Sequence, residues 1–287
     1  MLSVTRQYTS ILNRLIGELP EGLVVDAAWL EEQGVSSSLR AYYVKSGWLE
    51  QPVRGVYRRP RGPLSWEQVV ISLQTILGEK PLVVGGRTAL ELEGFEHYLS
   101  AEVRTVHLYG PEKPPSWLQK LELPQRFVFH NSRKLFIDEQ AATGSEGSNF
   151  EEPEGGTDAR SGIRGASLKT LTWGQWDWPL TISRPERAIL ELLDELPDRE
   201  SFHQADMIMQ GAATLSPKRL QVLLENCRSV KVKRLFFFFA DRHRHAWLRH
   251  LDKVAVDLGS GKRMLVRGGK LDLGYLITVP TELYDAS

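Results

Sequence analysis

The sequence predicts an α+β protein of two domains, and three observations carry that prediction. At 287 residues the chain exceeds the usual size of a single domain. Between Val24 and Pro60 it reads as helix, tight turn, helix and short hairpin. From Leu82 onward strand-like alternation comes first, helical periodicity follows, and extended pieces return after Gly259. The prediction is an N-terminal domain over 1–80 and a larger mixed α/β domain over 81–287.

The elements follow in order. Residues 3 to 18 place Val4, Tyr8, Ile11, Leu12, Leu15 and Ile16 on one helical stripe. Asp26 is the N-cap of a short helix through Gln33, and Gly34 supplies the turn. Ser36 caps a second helix that carries Arg40, Tyr42, Tyr43 and Lys45 and stops at Gly47. Trp48 to Gln51 and Val56 to Arg59 are short strands around Pro52-Val53-Arg54-Gly55. That order is a winged helix-turn-helix, whose second helix can enter a DNA major groove while the hairpin touches the flanking backbone. Ser65-Trp66-Glu67-Gln68 is a capping box opening a helix to about Leu77.

In the second region, Leu82 to Leu90 leads through Gly85-Gly86 into a helix ending near Gly94. Val103 to Tyr109 and Arg126 to His130 alternate like strands. Residues 141–164 are rich in Gly, Ser and Glu and read as a flexible acidic insert. A strand ends at Ile182, and Ser183-Arg184-Pro185-Glu186 starts a helix with Ser183 as cap. Ser216-Pro217 opens another helix to about Cys227, and Val230 to His250 reads as two more. Met264 to Val266 and Leu271 to Val279 are extended.

Charge is balanced overall, with Lys+Arg 36 against Asp+Glu 36. Hydrophobic content of 41% is that of a soluble globular protein. No apolar run approaches the ~20 residues of a membrane span. Arg6, Arg14 and Glu18 make the N-terminus an amphipathic helix rather than a signal peptide, so the chain reads as cytoplasmic. Cys227 is the only cysteine, which excludes a disulfide framework and a cysteine zinc site.

Against that balance, Glu50 is the single acid between Ser36 and Pro63, beside Arg40, Lys45, Arg54, Arg58, Arg59 and Arg61. A local excess in a neutral chain marks a phosphate-facing surface. The candidate DNA-binding residues are Ser36, Ser37, Ser38, Arg40, Lys45, Arg54, Tyr57, Arg58, Arg59 and Arg61. Arg40 is placed on the polar side of its helix as a guanine reader, and the wing arginines are placed on phosphates. A second basic block runs from Lys218 to Lys270 and reads either as a surface for RNA, DNA or an acidic partner, or as a solvated face. Leu235 and the four phenylalanines after it read as a buried helix.

Catalytic signals are weak. Gly85-Gly86 resembles the paired glycines of minimal nucleotidyltransferases, but that chemistry needs metal-binding carboxylates and the chain has no Asp-x-Asp. Glu91 and Glu93, two apart on a helix, do not share a face. His243, His245 and His250 do not form a metal site, since alternating positions on a helix diverge. No enzymatic activity, cofactor or metal is expected.

With these pieces in place, the chain resembles the AbiEi antitoxins of type IV (AbiE, abortive infection) toxin–antitoxin systems of bacteria. The resemblance rests on Arg54-Gly55-Val56-Tyr57, on Gly85 to Leu92, and on Ser183 to Ala188. It continues through Val230 to Phe236, Leu258 to Arg263 and Tyr275 to Pro280. The resemblance implies a winged helix that binds inverted repeats in the double-stranded promoter of its own operon and represses it. It implies a C-terminal domain that counteracts a nucleotidyltransferase-like toxin, without implying a stable complex between the two. The candidate antitoxin surface is Lys231, Lys233 and Arg234, which crowd the end of an apolar helix and cannot all be buried without partners, together with Lys262 and Arg263. Two alternatives are a degenerate nucleotidyltransferase-like enzyme and an RNA- or protein-binding module.

Overall fold

The computed structural model describes residues 13–78, 81–95, 103–137 and 167–285. Residues 3–12 of the predicted first helix and the acidic insert 141–164 lie outside them. Residues 13–18 are helical (α1), and Leu15 is buried. Then come β1 (Val24–Asp26), α2 (Ala27–Glu32), α3 (Ser37–Lys45), β2 (Glu50–Val53) and β3 (Val56–Arg58).

Asp26 accepts from Trp29 N at 2.9 Å and Ser36 from Leu39 N at 3.3 Å, so the two expected caps are in place. Between them Gly34 takes φ +79°, a left-handed backbone that closes the turn with little strain. The strands form an antiparallel sheet of order β1-β3-β2, with Val53 facing Val56 across a turn of Arg54 and Gly55. Trp48 and Leu49 lie outside β2, which starts two residues later than expected. β1 is an addition to the expected elements: Val24-Val25 is too short to show a strand period, and pairing with β3 alone makes it one.

Helix α4 (Trp66–Gln74) carries the capping box on Ser65 and Gln68. It is buried nearly all round because it sits between two sheets. Its Ser72 hydroxyl accepts from Val24 N of β1 at 2.8 Å. On the other side the Gln74 amide donates to Leu82 O at 3.0 Å and Thr181 O at 2.8 Å, and accepts from Thr181 N at 2.8 Å.

The second sheet holds β4 (Val83–Val84), β5 (Thr105–Gly110), β6 (Arg126–Asn131), β7 (Leu168–Trp173) and β8 (Trp178–Ser183) in the order β6-β5-β4-β8-β7. β5 runs parallel to β6 and β4 parallel to β8; β4 and β5, and β7 and β8, pair antiparallel. α5 (Gly86–Leu92) leaves β4 directly. α6 (Pro185–Asp194) follows β8, with Pro185 in its first turn. Its N-cap is Arg184 and not Ser183: the Ser183 hydroxyl instead donates to Glu191 at 3.1 Å. Glu186, in the first turn, accepts from Ser216 N at 2.8 Å and from Arg219 at 3.0 Å.

The rest is helical: α7 (Phe202–Gly211), α8 (Pro217–Asn226) and α9 (Val230–His243), followed by one 3₁₀ turn at Ala246–His250. α9 ends at Arg244 in the left-handed conformation, so Val230 to His250 forms one helix and a turn. Phe236, Phe237, Phe238 and Phe239 are all buried, as the apolar run implied. Lys270–Asp272 (β9) and Ile277–Val279 (β10) form a hairpin before α10 (Glu282–Asp285). Met264 to Val266 form no strand, although Arg263 bridges to Ile277. Among the described residues no helix is long and apolar enough to cross a membrane.

Candidate nucleic-acid interface

α3 has two faces. Leu39, Arg40 and Tyr43 point into the core, while Ser37, Ser38, Ala41, Tyr42 and Lys45 form the outward stripe. These outward positions recur at i, i+1, i+4, i+5 and i+8, the spacing of one helical face. Tyr42 is 62% exposed and Trp48, just past the helix, 49%. Trp48 is the one outward aromatic that sequence reasoning assigned to a strand instead; its position after the helix-ending Gly47 was the available signal. Ser36 is exposed and engaged as the cap, with its hydroxyl 3.0 Å from that of Ser38.

The expected reader, Arg40, is not on this face. It is 7% exposed and donates to Val35 O at 3.0 Å, Ala27 O at 3.2 Å and Glu31 at 3.3 Å. The tight α2–α3 turn brings carbonyls together that only a long cation can reach from α3. Its guanidinium also lies 6.0 Å from the ring of Tyr57, itself a core residue.

The wing arginines are likewise held within the protein. Arg58 is buried and donates to Glu50 and Gly62 O, each at 2.7 Å. Arg59 donates to Ile16 O at 2.9 Å, Leu19 O at 3.0 Å and Glu21 at 3.1 Å. Arg61 pairs with Glu21 at 3.2 Å and Gln175 at 3.0 Å, and stands 5.1 Å from the Trp176 ring. Arg58 is closed to a phosphate by burial, while Arg59 and Arg61 are part-exposed and already engaged by Glu21. Lys45 and Arg54 remain exposed, with no ion pair to a described residue.

Three cations of the C-terminal basic block are drawn inward as well. Lys231 donates to the carbonyls of Asp194 and Leu196 at the end of α6. Lys233 is buried, and Arg234, 2% exposed, donates to Leu258 O and Gly261 O, each at 2.7 Å. The expected premise was that such cations need partners; for Lys231 and Arg234 the structure supplies them as backbone carbonyls. Lys262 and Arg263 do face solvent, and the Arg263 backbone is fixed along β10 through Leu276 O and Thr278 N.

At Gly85-Gly86 the space a phosphate would need is filled from within. The Glu191 carboxylate accepts from Gly86 N at 2.8 Å and from Arg187 at 2.7 Å. A Cβ at Gly85 would collide with that carboxylate and with the Tyr109 ring, which explains the first glycine. Gly86 takes φ +53°, which explains the second. Burial raises the Glu191 pKa against the opposing pull of Arg187.

Beside it lies a buried chain. Glu195 is 2.9 Å from His130 Nδ1, and His130 Nε2 is 3.0 Å from His107 Nδ1. Burial, then the neighbouring His130, depresses the His107 pKa to about 4. Glu195 is raised by burial, but the His130 hydrogen bond and the His130 and Arg199 charges outweigh that and hold it below its usual value. Among the described residues no cluster of His, Cys, Asp or Glu could hold a metal ion. His243 and His245 are turned to Asp206 at 2.8 Å and Met209 O at 2.7 Å.

A three-stranded wing sheet behind an outward helix, joined to a second mixed sheet, defines a winged helix-turn-helix protein whose α3 carries one exposed face. Residues 8–101 match the model of the transcriptional regulator AbiEi antitoxin N-terminal domain, and residues 103–280 that of the transcriptional regulator AbiEi antitoxin of the type IV toxin–antitoxin system. The chain therefore belongs to the AbiEi family of antitoxin transcriptional regulators. Its fold is shared with the crystal structure of the RV2827C protein from Mycobacterium tuberculosis, at 16% identity and a TM-score of 0.53, over 98% of this chain and 94% of that one. No curated protein matches the sequence significantly.

Proposed function

We propose that this chain represses the promoter of its own operon by setting α3 in a major groove with the β2–β3 turn against the flanking backbone. We assign this role to residues 1–80, and to residues 81–287 the counteraction of a nucleotidyltransferase-like toxin. The observation that carries the promoter-binding role is the outward face of α3. Every inward position of that helix is in the core, so Ser37, Ser38, Ala41, Tyr42 and Lys45 are available together, with Arg54 at the wing turn.

The toxin-countering role rests on family membership. Lys262 and Arg263 are the residues of the original basic surface that support it, since they are exposed. Chemistry at Gly85-Gly86 is not part of this reading, because Glu191 already uses the Gly86 N–H. The protein is read as cytoplasmic and without a catalytic role.

The test combines two readouts on the full chain. Lys45→Ala with Arg54→Ala is expected to lose repression of a reporter driven by the operon's promoter while keeping protection against the toxin. Lys262→Glu with Arg263→Glu is expected to do the reverse. Full repression by the first variant would remove α3 and the wing as the DNA-binding face.

A further inference from the structure

The groups left on the outward face specify more than DNA in general. Guanine is most often read by Arg or Lys reaching O6 and N7 together. α3 has one arginine, Arg40, and three internal acceptors hold it in the core. Its one outward cation, Lys45, lies in the last turn, whereas recognition helices touch base edges mainly through their N-terminal residues.

Ahead of Lys45, the outward face of α3 presents two hydroxyls in its first turn (Ser37, Ser38), then one methyl (Ala41) and one aromatic ring (Tyr42) a turn further on. Serine can serve any base, but a methyl and a ring have one favoured partner in the major groove, the C5-methyl of thymine. At the wing, Arg54 is the exposed cation of a two-residue turn. An arginine entering a minor groove gains most where the groove is narrow and its potential most negative, as in A-tracts.

Resting on the promoter-binding reading above, we propose that this face selects A·T-rich duplex, through thymine methyl groups under α3 and a narrow A·T minor groove under Arg54. Tyr42 and Arg54 are the specificity-determining side chains.

The experiment is selection of binding sites by the full chain from a random duplex pool, followed by base-analogue replacement in the enriched site. Replacing thymine by uracil under α3 removes only the methyl and is expected to weaken binding about fourfold for each methyl contacted. In the flank, replacing A·T by inosine·cytosine keeps a minor groove without the guanine amino group and is expected to be tolerated, whereas guanine·cytosine is not. Tyr42→Ala should abolish the uracil effect at one position. Arg54→Ala should abolish the discrimination between inosine and guanine. Enriched sites that carry guanine under α3, or that ignore uracil and inosine alike, overturn the proposal while leaving DNA binding intact. Retention of no duplex at all overturns the promoter-binding reading, and this proposal with it.

Discussion

α3 and α9 look alike in sequence and differ in what they do with their cations. Both begin at a capping serine, and both place lysine or arginine among apolar residues. In α3 the arginine goes inward and the helix keeps an outward stripe of small, hydroxylic and aromatic side chains. In α9 the stripe is inward nearly throughout, and Lys231 and Arg234 end on carbonyls of α6 and of the loop after residue 257. The comparison teaches that a basic cluster beside irregular backbone is recruited by that backbone first. A guanidinium offers five donors in a fixed fork, and the carbonyls of a neighbouring loop or helix end are acceptors already within its reach when the chain packs.

Four outcomes would break or sharpen this contrast. The largest effect is expected at Arg234. Arg234→Ala should cost about 3 kcal/mol of unfolding free energy, because it empties the space of a buried side chain and leaves the part-buried carbonyls of Leu258 and Gly261 without that donor. Urea denaturation measures it, and a loss below ~1 kcal/mol would mean that Arg234 does not hold the loop.

Second, Arg40→Ala should lower stability by about 2 kcal/mol, since the buried Val35 carbonyl and the part-buried Ala27 carbonyl lose their donor. Base preference at the operator should stay the same. Altered preference at a single base pair, with normal stability, would return Arg40 to the groove.

Third comes pH. His107 falls from 6.5 to about 4 on folding, so it is neutral in the folded state where the unfolded chain would protonate. Its contribution is complete above pH 6.5 and is lost as pH drops toward 4, at up to about 1.4 kcal/mol per pH unit. Glu195, depressed on folding, acts in the same direction as acid is added. Unfolding curves at pH 7, 5.5 and 4.5 should show the decline, and His107→Gln should flatten it. An acid response identical in the variant would place the sensitivity elsewhere.

The smallest stability effect is expected for Lys45→Ala and Arg54→Ala, within about 0.5 kcal/mol. Each should nevertheless flatten the dependence of log K on log salt for DNA by about 1. Unchanged slopes would show that these two cations are solvated in the complex.

Much of the architecture was legible because it is written in local chemistry. Asp26, Ser36 and Ser65 cap where expected, since a cap is settled within three residues of chain. The phenylalanine run is buried because nothing else in that stretch is apolar enough to compete. Ser183 misled, because the same hydroxyl that can cap α6 can also donate to Glu191, and the choice depends on where that carboxylate lies. β1 was invisible for the same reason: its strand character comes from β3, more than thirty residues on.

The candidate site was legible in outline and misread in detail. Helix, turn and wing are where the sequence put them, and Ser37, Ser38, Lys45 and Arg54 are exposed as a binding role would need. Arg58, Arg59 and Arg61 are not, because their partners Glu50, Gly62, Glu21 and Gln175 are assembled by folding. By itself the sequence determined most of the elements, the caps at Asp26, Ser36 and Ser65, much of the apolar core and the family, all set by residues a few positions apart or by the order of motifs. Only the tertiary structure decided which cations face solvent. That choice turns on where long side chains find carboxylates and unpaired carbonyls, and those meet across tens of residues only when the chain is packed.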